Sequence, residues 1–370
     1  EPEQTKPLFR QERTDKMKKE KLLHSTKIQQ MIAQYKHDMQ LVDQLTADAE
    51  PTTRSNRNFI KSTKLSVARD LDGKGVRAGL TTISKVSATQ IVDGREVPAA
   101  GQLLYRGIPI EQLVQGFITH DRFGFEEIVY LLLMGHLPKA DQLAQFKGLL
   151  TDYQELPNHF NSGVIMKMPS DNIMNTMAKC VLALHAYDPK PDDTSLPNVM
   201  RQCIQLVSQF PSLAVFGYQA SMYFRNDRSM FYPEADPKLS IAENILYMMR
   251  PDGKYTRLEA KLLDLCLVLH AEHGGGNNSA FTVHVVSSSG TDTYSTVAAA
   301  LGSLKGPKHG GANIKVMEMF EDLKQHCPDW EDEDALREYL KGLLRGEGFD
   351  HSGLIYGMGH AVYSVSDPEP

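Results

Sequence analysis

Nowhere in this sequence does an apolar run reach the roughly 18 residues that a membrane-spanning helix needs, and no signal-peptide core stands near its start. A membrane protein is not expected. A basic excess is missing as well: 40 lysines and arginines face 46 aspartates and glutamates, for a net charge of −6 at pH 7. Without a domain-scale cationic surface to neutralise phosphates, a nucleic-acid partner is not expected either. Cysteine is scarce. Cys180, Cys203, Cys266 and Cys327 are widely spaced with no CxxC pair, which argues against a disulfide framework and points to a reduced, cytoplasmic setting. Fixed-period repeats, low-complexity tracts, phosphate-loop patterns and catalytic-triad patterns are absent too. Chemistry has to be sought in other residue clusters.

What the sequence does have is helical periodicity. With 41% hydrophobic and 23% charged residues over 370 positions, it has the composition of a globular protein long enough for two or three domains. Residues 1–58 are rich in charge and amides, and Met17, Leu22, Leu23, Ile28, Met31, Ile32, Met39, Leu41 and Val42 are spaced as in one or two amphipathic helices. This region is read as an appended arm. The stretch "TTISKVSATQIVDGREVPAAGQLLYRG" alternates β-branched residues around Asp93-Gly94 and predicts a short hairpin. Beyond it, apolar residues recur at helical spacing near 109–118, 124–136, 139–151, 171–185, 197–220, 239–250, 256–273, 279–289, 292–304, 313–326 and 333–345. The intervening "HLPK", "YDPKPDDTSLP", "YPEADPKLS" and "RPDGKY" each contain proline, which lacks an amide hydrogen and restrains the residue before it. The fold class is therefore mainly α.

Three histidine stretches rich in glycine interrupt this pattern. In "LDLCLVLHAEHGGGNNSAFTVHVVSSSG" a helix is expected to run to about His273 and to end on a left-handed Gly274, placing His270 and His273 on one face at its C-terminus. There the helix dipole favours imidazolium, which would suit a carboxylate ligand. The plainer alternative is that both histidines end the helix and bond its carbonyls; a metal site is weaker, because the HExxH spacing and a third ligand are wanting. Asn277, Asn278 and Ser279 read as caps for the next helix.

In "GPKHGGAN", His309 precedes a helix carrying Ile314, Met317, Phe320 and Leu323. The positive end of that helix would keep its ring neutral and able to donate a hydrogen bond to a carbonyl. Gly306, Gly310 and Gly311 imply a sharply bent or closely approached backbone, which a structural loop would also explain. In "HSGLIYGMGHAVYSVSDP", Gly353, Gly357 and Gly359 lead to His360 and would let backbone amides meet a ligand, or simply build a loop. Taken together, the three stretches are most economically explained by one site.

These motifs, with the hairpin segment running on to "RGIPIEQL", resemble in order and approximate spacing the citrate synthase family, over about residues 75–368. The resemblance implies a multi-helix fold with a large and a small domain and a short N-terminal β-hairpin, here a large helical domain at 59–306 and the start of the small domain at 307–370; the charged helical arm at 1–58 lies outside the resemblance. It implies a homodimer that condenses acetyl-CoA with oxaloacetate and water to give citrate and CoA, with acetyl-CoA as co-substrate, no tightly bound cofactor and no metal. His309 matches the donor to the thioester carbonyl, and His360 the histidine that polarises the ketone. His273, Asn277 and Ser279 match the substrate-binding group, with Ser279 expected to orient His309. Leu354, Tyr356, Gly357, Met358 and Gly359 match the segment lining the CoA site, and His270 is carried over as structural. A 2-methylcitrate synthase using propionyl-CoA would share the histidines; a non-catalytic helical interaction protein would share the fold.

In the family's pattern an arginine that clamps a substrate carboxylate follows the "DP" of the third motif, and the aspartate base and further arginines lie downstream. Here Glu369 and Pro370 follow Asp367-Pro368. Neither Asp350 nor Asp367 stands in the base's context, so these groups are expected on chain beyond Pro370.

Overall fold

The computed structural model describes residues 81–358 apart from Gly94 and Asp227, together with Gln40, Gln44, Tyr363 and residues 365–368. Of the expected arm at 1–58, all but Gln40 and Gln44 lies outside the described residues.

Strands β1 (Ser84–Val92) and β2 (Arg95–Tyr105) pair antiparallel. They turn between Val92 and Arg95, where Asp93 adopts the left-handed φ of 52° that two-residue hairpin loops favour. A second two-residue turn, left-handed at both Arg106 (φ 49°) and Gly107 (φ 85°), leads into β3 (Ile108–Pro109). Periodicity does not predict this third strand, because two residues are too few to alternate. Within the ladder, Ser87 pairs with Gln102 and Thr89 with Pro98, so residues 99–101 of β2 bulge opposite Ala88.

The remainder is helical: α1 (Ile110–Thr119), α2 (Phe125–Met134), α3 (Ala140–Asp152), α4 (Ile173–Leu184), α5 (Leu196–Asn226), α6 (Ile241–Met249), α7 (Arg257–Leu269), α8 (Asn278–Ser287), α9 (Thr293–Leu304), α10 (Ala312–His326) and α11 (Glu333–Leu344). Each falls on a segment whose apolar spacing predicts it. Local chemistry sets many of the boundaries. Ser240 with Glu243 and Thr256 with Glu259 form reciprocal capping boxes at α6 and α7, Asp292 and Asp332 cap α9 and α11, and Gly135 closes α2 in a left-handed conformation with φ 90°. Helix α5 runs six residues past its expected end and continues through Pro211, with residues along its length buried on several sides. Tertiary packing offsets the one intrahelical bond that proline removes.

The largest core cluster joins α4, α5 and α9 through Val181, Leu184, Leu213, Phe216, Tyr294 and Leu301, with Phe160 from the segment before α4. At its edge a buried polar network ties the loop after α4 to α5 and α9. Arg201 Nη2 donates to Asp188 Oδ2 at 2.6 Å, and Tyr294 Oη donates to the same oxygen at 2.6 Å. Burial pushes the Asp188 carboxyl up, but the bonds from Arg201 and Tyr294 outweigh it and hold the group below its ordinary value.

A second buried carboxylate joins α7 to α2. Asp264 accepts the backbone N–H of Gly124 at 2.7 Å and of Phe125 at 3.2 Å. Burial, reinforced by the charge of Glu126, pushes its carboxyl up to about 6 against the pull of those two N–H groups. The unfolded chain releases this proton near 3.8, so the folded state binds it more tightly and this group's contribution to stability declines as pH rises from about 4 through 6. Asp264→Asn is expected to remove that slope: chemical denaturation between pH 4 and 7 should show wild type losing stability relative to the variant as pH rises. Parallel curves would contradict the assignment.

Candidate functional site

The first histidine stretch corrects the sequence-based expectation. Helix α7 stops at Leu269, four residues short of His273, so His270 and His273 do not share a helical face. The reason is a hydroxyl from far upstream. Tyr105 Oη shares its one proton between the carbonyls of Val268 (3.0 Å) and Leu269 (3.1 Å) and accepts the Glu272 N–H at 3.3 Å. It thus stands where the helical bond from Glu272 to Val268 would form. His270 becomes the cap residue and its Nδ1 lies 2.7 Å from the Cys266 carbonyl, in keeping with a structural role. His273 lies beyond the helix, its ring edge-on to Tyr363 with centroids 5.8 Å apart. Gly274 is left-handed (φ 84°), and a Cβ there would press on Val86 of the hairpin.

Asn277 caps α8 as expected, its side chain accepting the N–H groups of Ser279 and Ala280. That cap sets the first turn of α8 against the end of α9, where Asn278 Nδ2 donates to Ser303 Oγ at 2.8 Å. On the same turn Ser279 Oγ lies 2.9 Å from His309 Nε2 and 3.2 Å from the Ala300 carbonyl. The first and second motifs therefore meet through side chains.

His309 sits just ahead of α10, as its sequence context predicts. Its ring is held below the ordinary histidine value, and the cause is burial. The tight glycines around it serve the chain itself. A Cβ on Gly310 would lie 2.7 Å from Leu304 Cδ1, and one on Gly311 would lie 2.7 Å from the Gly306 carbonyl oxygen and closer still to that of Lys305. The backbone of this turn presses on the end of α9 so closely that only glycine fits. His309 is thus fixed from both sides.

The third stretch is described as far as Met358. Gly359 and His360 lie outside the described residues. Leu354 and Met358 are exposed, Tyr356 Oη donates to Asp350 Oδ2 at 2.6 Å, and Gly357 is left-handed with φ 86°. Gly357 also lies against Val316 of α10, seven residues along the chain from His309. Past the undescribed stretch, Tyr363 is buried against His273, and Gly101 in the hairpin bulge donates its N–H to the Ser366 carbonyl at 3.0 Å. All three motifs are thereby linked: Ser279 to His309, Val316 to Gly357, and His273 to Tyr363.

Sequence reasoning missed Tyr105, Glu272 and Tyr363. The first two are separated by 167 positions, and nothing in their local pattern marks them as neighbours. Among the described residues, the set close enough to share a cation is His185, Asp192 and Asp292, apart from the three motifs. His185 pairs there with Asp192 at 3.1 Å, and Asp292 is occupied in capping α9. No described helix is long and apolar enough to cross a membrane, and all four cysteines are free thiols.

Comparison with known proteins gives a family to this helical body, with its small sheet at the N-terminal edge and its histidine–serine pair beside a glycine turn. The family described as citrate synthase, C-terminal domain, matches residues 72–369. The chain belongs to the citrate synthase family. It is 32% identical to the 2-methylcitrate synthase of Shewanella oneidensis over 311 residues, covering 82% of this chain and 72% of that protein. It is 33% identical to the citrate synthase of Haloferax volcanii over 303 residues, covering 80% and 70%. Among solved structures, the citrate synthase from Pyrobaculum aerophilum superposes with a TM-score of 0.61 at 26% identity, over 81% of this chain and 70% of that one. The Thermotoga maritima citrate synthase gives 0.59 at 26% identity, over 79% and 67%.

Proposed function

We propose that this chain condenses acetyl-CoA with oxaloacetate and water to give citrate and free CoA. The observation that carries the reading is the Ser279–His309 pair at 2.9 Å, formed by two motifs that the family resemblance assigns to one site. A thioester methyl group is a weak carbon acid, so the enolate oxygen that develops as its proton leaves needs a donor already in place. His309, with burial opposing its charge, is suited to donate as a neutral ring. The Ser279 hydroxyl has one proton to give. The Ala300 carbonyl at 3.2 Å competes for that proton; directed instead at the nearer Nε2, it leaves the ring's own proton on Nδ1, where it can meet the thioester carbonyl.

In this reading His273 and Asn277 bind the keto-acid, His360 polarises its ketone, and Leu354, Tyr356, Gly357, Met358 and Gly359 line the CoA site. The exposed Leu354 and Met358 are compatible with an apolar ligand surface. The acetyl methyl proton passes to the carboxylate base that the family resemblance implies, the carbon nucleophile so formed adds to the ketone, and water cleaves the resulting thioester to release CoA. No tightly bound cofactor is called for, since the reacting groups all belong to the two substrates.

We infer a division into a large domain to residue 306 and a small domain from 307; the bond from Tyr339 Oη to Asp322 Oδ2 at 2.7 Å, which joins α10 to α11, is compatible with it. A cytoplasmic homodimer is the assembly we infer, on the free thiols and the family resemblance.

The 32% identity to a 2-methylcitrate synthase favours a second reading in which propionyl-CoA is used. One methylene in an apolar pocket discriminates by about 10–200-fold. Assaying CoA release with both acyl-CoAs in the presence of oxaloacetate separates the readings: acetyl-CoA is expected to be the better substrate, and a propionyl-CoA preference would reverse the assignment.

A further inference from the structure

The segment that carries His273 is not held by its own helix, which has already ended at Leu269. One side chain takes over that task. Glu272 Oε1 accepts the backbone N–H of Gly274 at 2.8 Å, closing a local turn around His273, and the same oxygen accepts the hydroxyl of Ser84, at the start of β1, at 2.9 Å. The Glu272 N–H is in turn fixed by Tyr105 Oη at the end of β2. His273 therefore lies between two residues whose backbone amides are both bonded, one directly to the hairpin and the other through a carboxylate that the hairpin grips.

The hairpin reaches the same histidine by a second route. Its bulged Gly101 donates to Ser366, and a Cβ there would lie 2.7 Å from Tyr363 Cδ1 and 2.9 Å from Pro368 Cδ. Tyr363 is the ring that packs edge-on against His273. The charge of Glu272 is not isolated, because it opposes the effect of burial on the nearby Arg106 guanidinium. Two properties of Glu272 can thus be separated: an acceptor oxygen for Ser84 and Gly274, and a negative charge for Arg106.

We propose that Glu272 is a positioning residue for keto-acid binding, acting through its acceptor oxygen to lock the His273 turn onto the β-hairpin. The proposal rests on the reading of His273 as an oxaloacetate ligand. No part of it requires Glu272 to touch substrate.

The test is oxaloacetate binding by isothermal titration calorimetry, alongside the apparent affinity for acetyl-CoA, in wild type, Glu272→Ala, Glu272→Gln and His273→Ala. Glu272→Ala is expected to weaken oxaloacetate binding by about tenfold, a change of about 1.4 kcal/mol, with acetyl-CoA affinity unchanged. Glu272→Gln keeps an acceptor oxygen without the charge and should restore binding. Unaltered binding in Glu272→Ala while His273→Ala binds weakly would overturn the proposal and leave the functional reading standing; equal losses in the Ala and Gln variants would assign the effect to charge and overturn it too. Wild type that binds no oxaloacetate would remove both. Should Glu272→Ala fail to fold, Ser84→Ala, which deletes the hairpin's hydroxyl alone, carries the same expectation with a smaller loss.

Discussion

Replacing His309 by alanine is expected to lower kcat by about 10²–10³-fold, the usual effect of deleting one hydrogen-bond donor to a developing oxyanion. Oxaloacetate binding should survive, because the keto-acid is assigned to other groups. The expectation follows from position and environment together. The ring is anchored by Ser279 at one nitrogen and lies on a turn too tight for any residue but glycine at Gly310 and Gly311. Burial disfavours its charged form, which favours a neutral ring over a strong acid. Steady-state kinetics with a parallel oxaloacetate titration checks this. Turnover within a few-fold of wild type would remove His309 from the chemistry.

The largest expected effect on stability lies away from the site. Asp188→Ala should destabilise the fold by about 3–5 kcal/mol, the range seen when one partner of a buried ion pair is deleted. Arg201 would be left charged in a setting where only 3% of its side chain reaches solvent, and Tyr294 would lose the acceptor of its 2.6 Å bond. The network joins the loop after α4 to both α5 and α9, and α9 ends on the turn that holds His309. Chemical denaturation of the variant gives the number. A loss below about 1 kcal/mol, the level of an exposed pair, would mean that the pair is solvated in the working protein.

Most of the helices were legible because they bury an apolar stripe, and such a stripe leaves its 3.6-residue period in the sequence; α8 buries none of its residues and α5 is buried on several sides, so neither owes its legibility to one stripe. The Asp93-Gly94 turn was legible for a similar reason, since few residues accept its backbone conformation. The end of α7 was not. Ala271, Glu272 and His273 continue the helical pattern acceptably, and what stops the helix is the hydroxyl of Tyr105, a contact across more than 160 positions. Gly306, Gly310 and Gly311 imply a sharply bent or closely approached backbone, and at Gly310 and Gly311 the group that approaches is the end of α9. The Ser279–His309 contact was expected from family resemblance alone; spacing by itself does not bring together residues 30 positions apart on different elements.

The central claim is that the three histidine motifs form a condensing site, and the most direct measurement is CoA thiol release from acetyl-CoA by the full-length protein, with and without oxaloacetate. Release that depends on oxaloacetate and that His309→Ala abolishes is the predicted result. Release at the same rate without oxaloacetate, or none with either acetyl-CoA or propionyl-CoA, would contradict it.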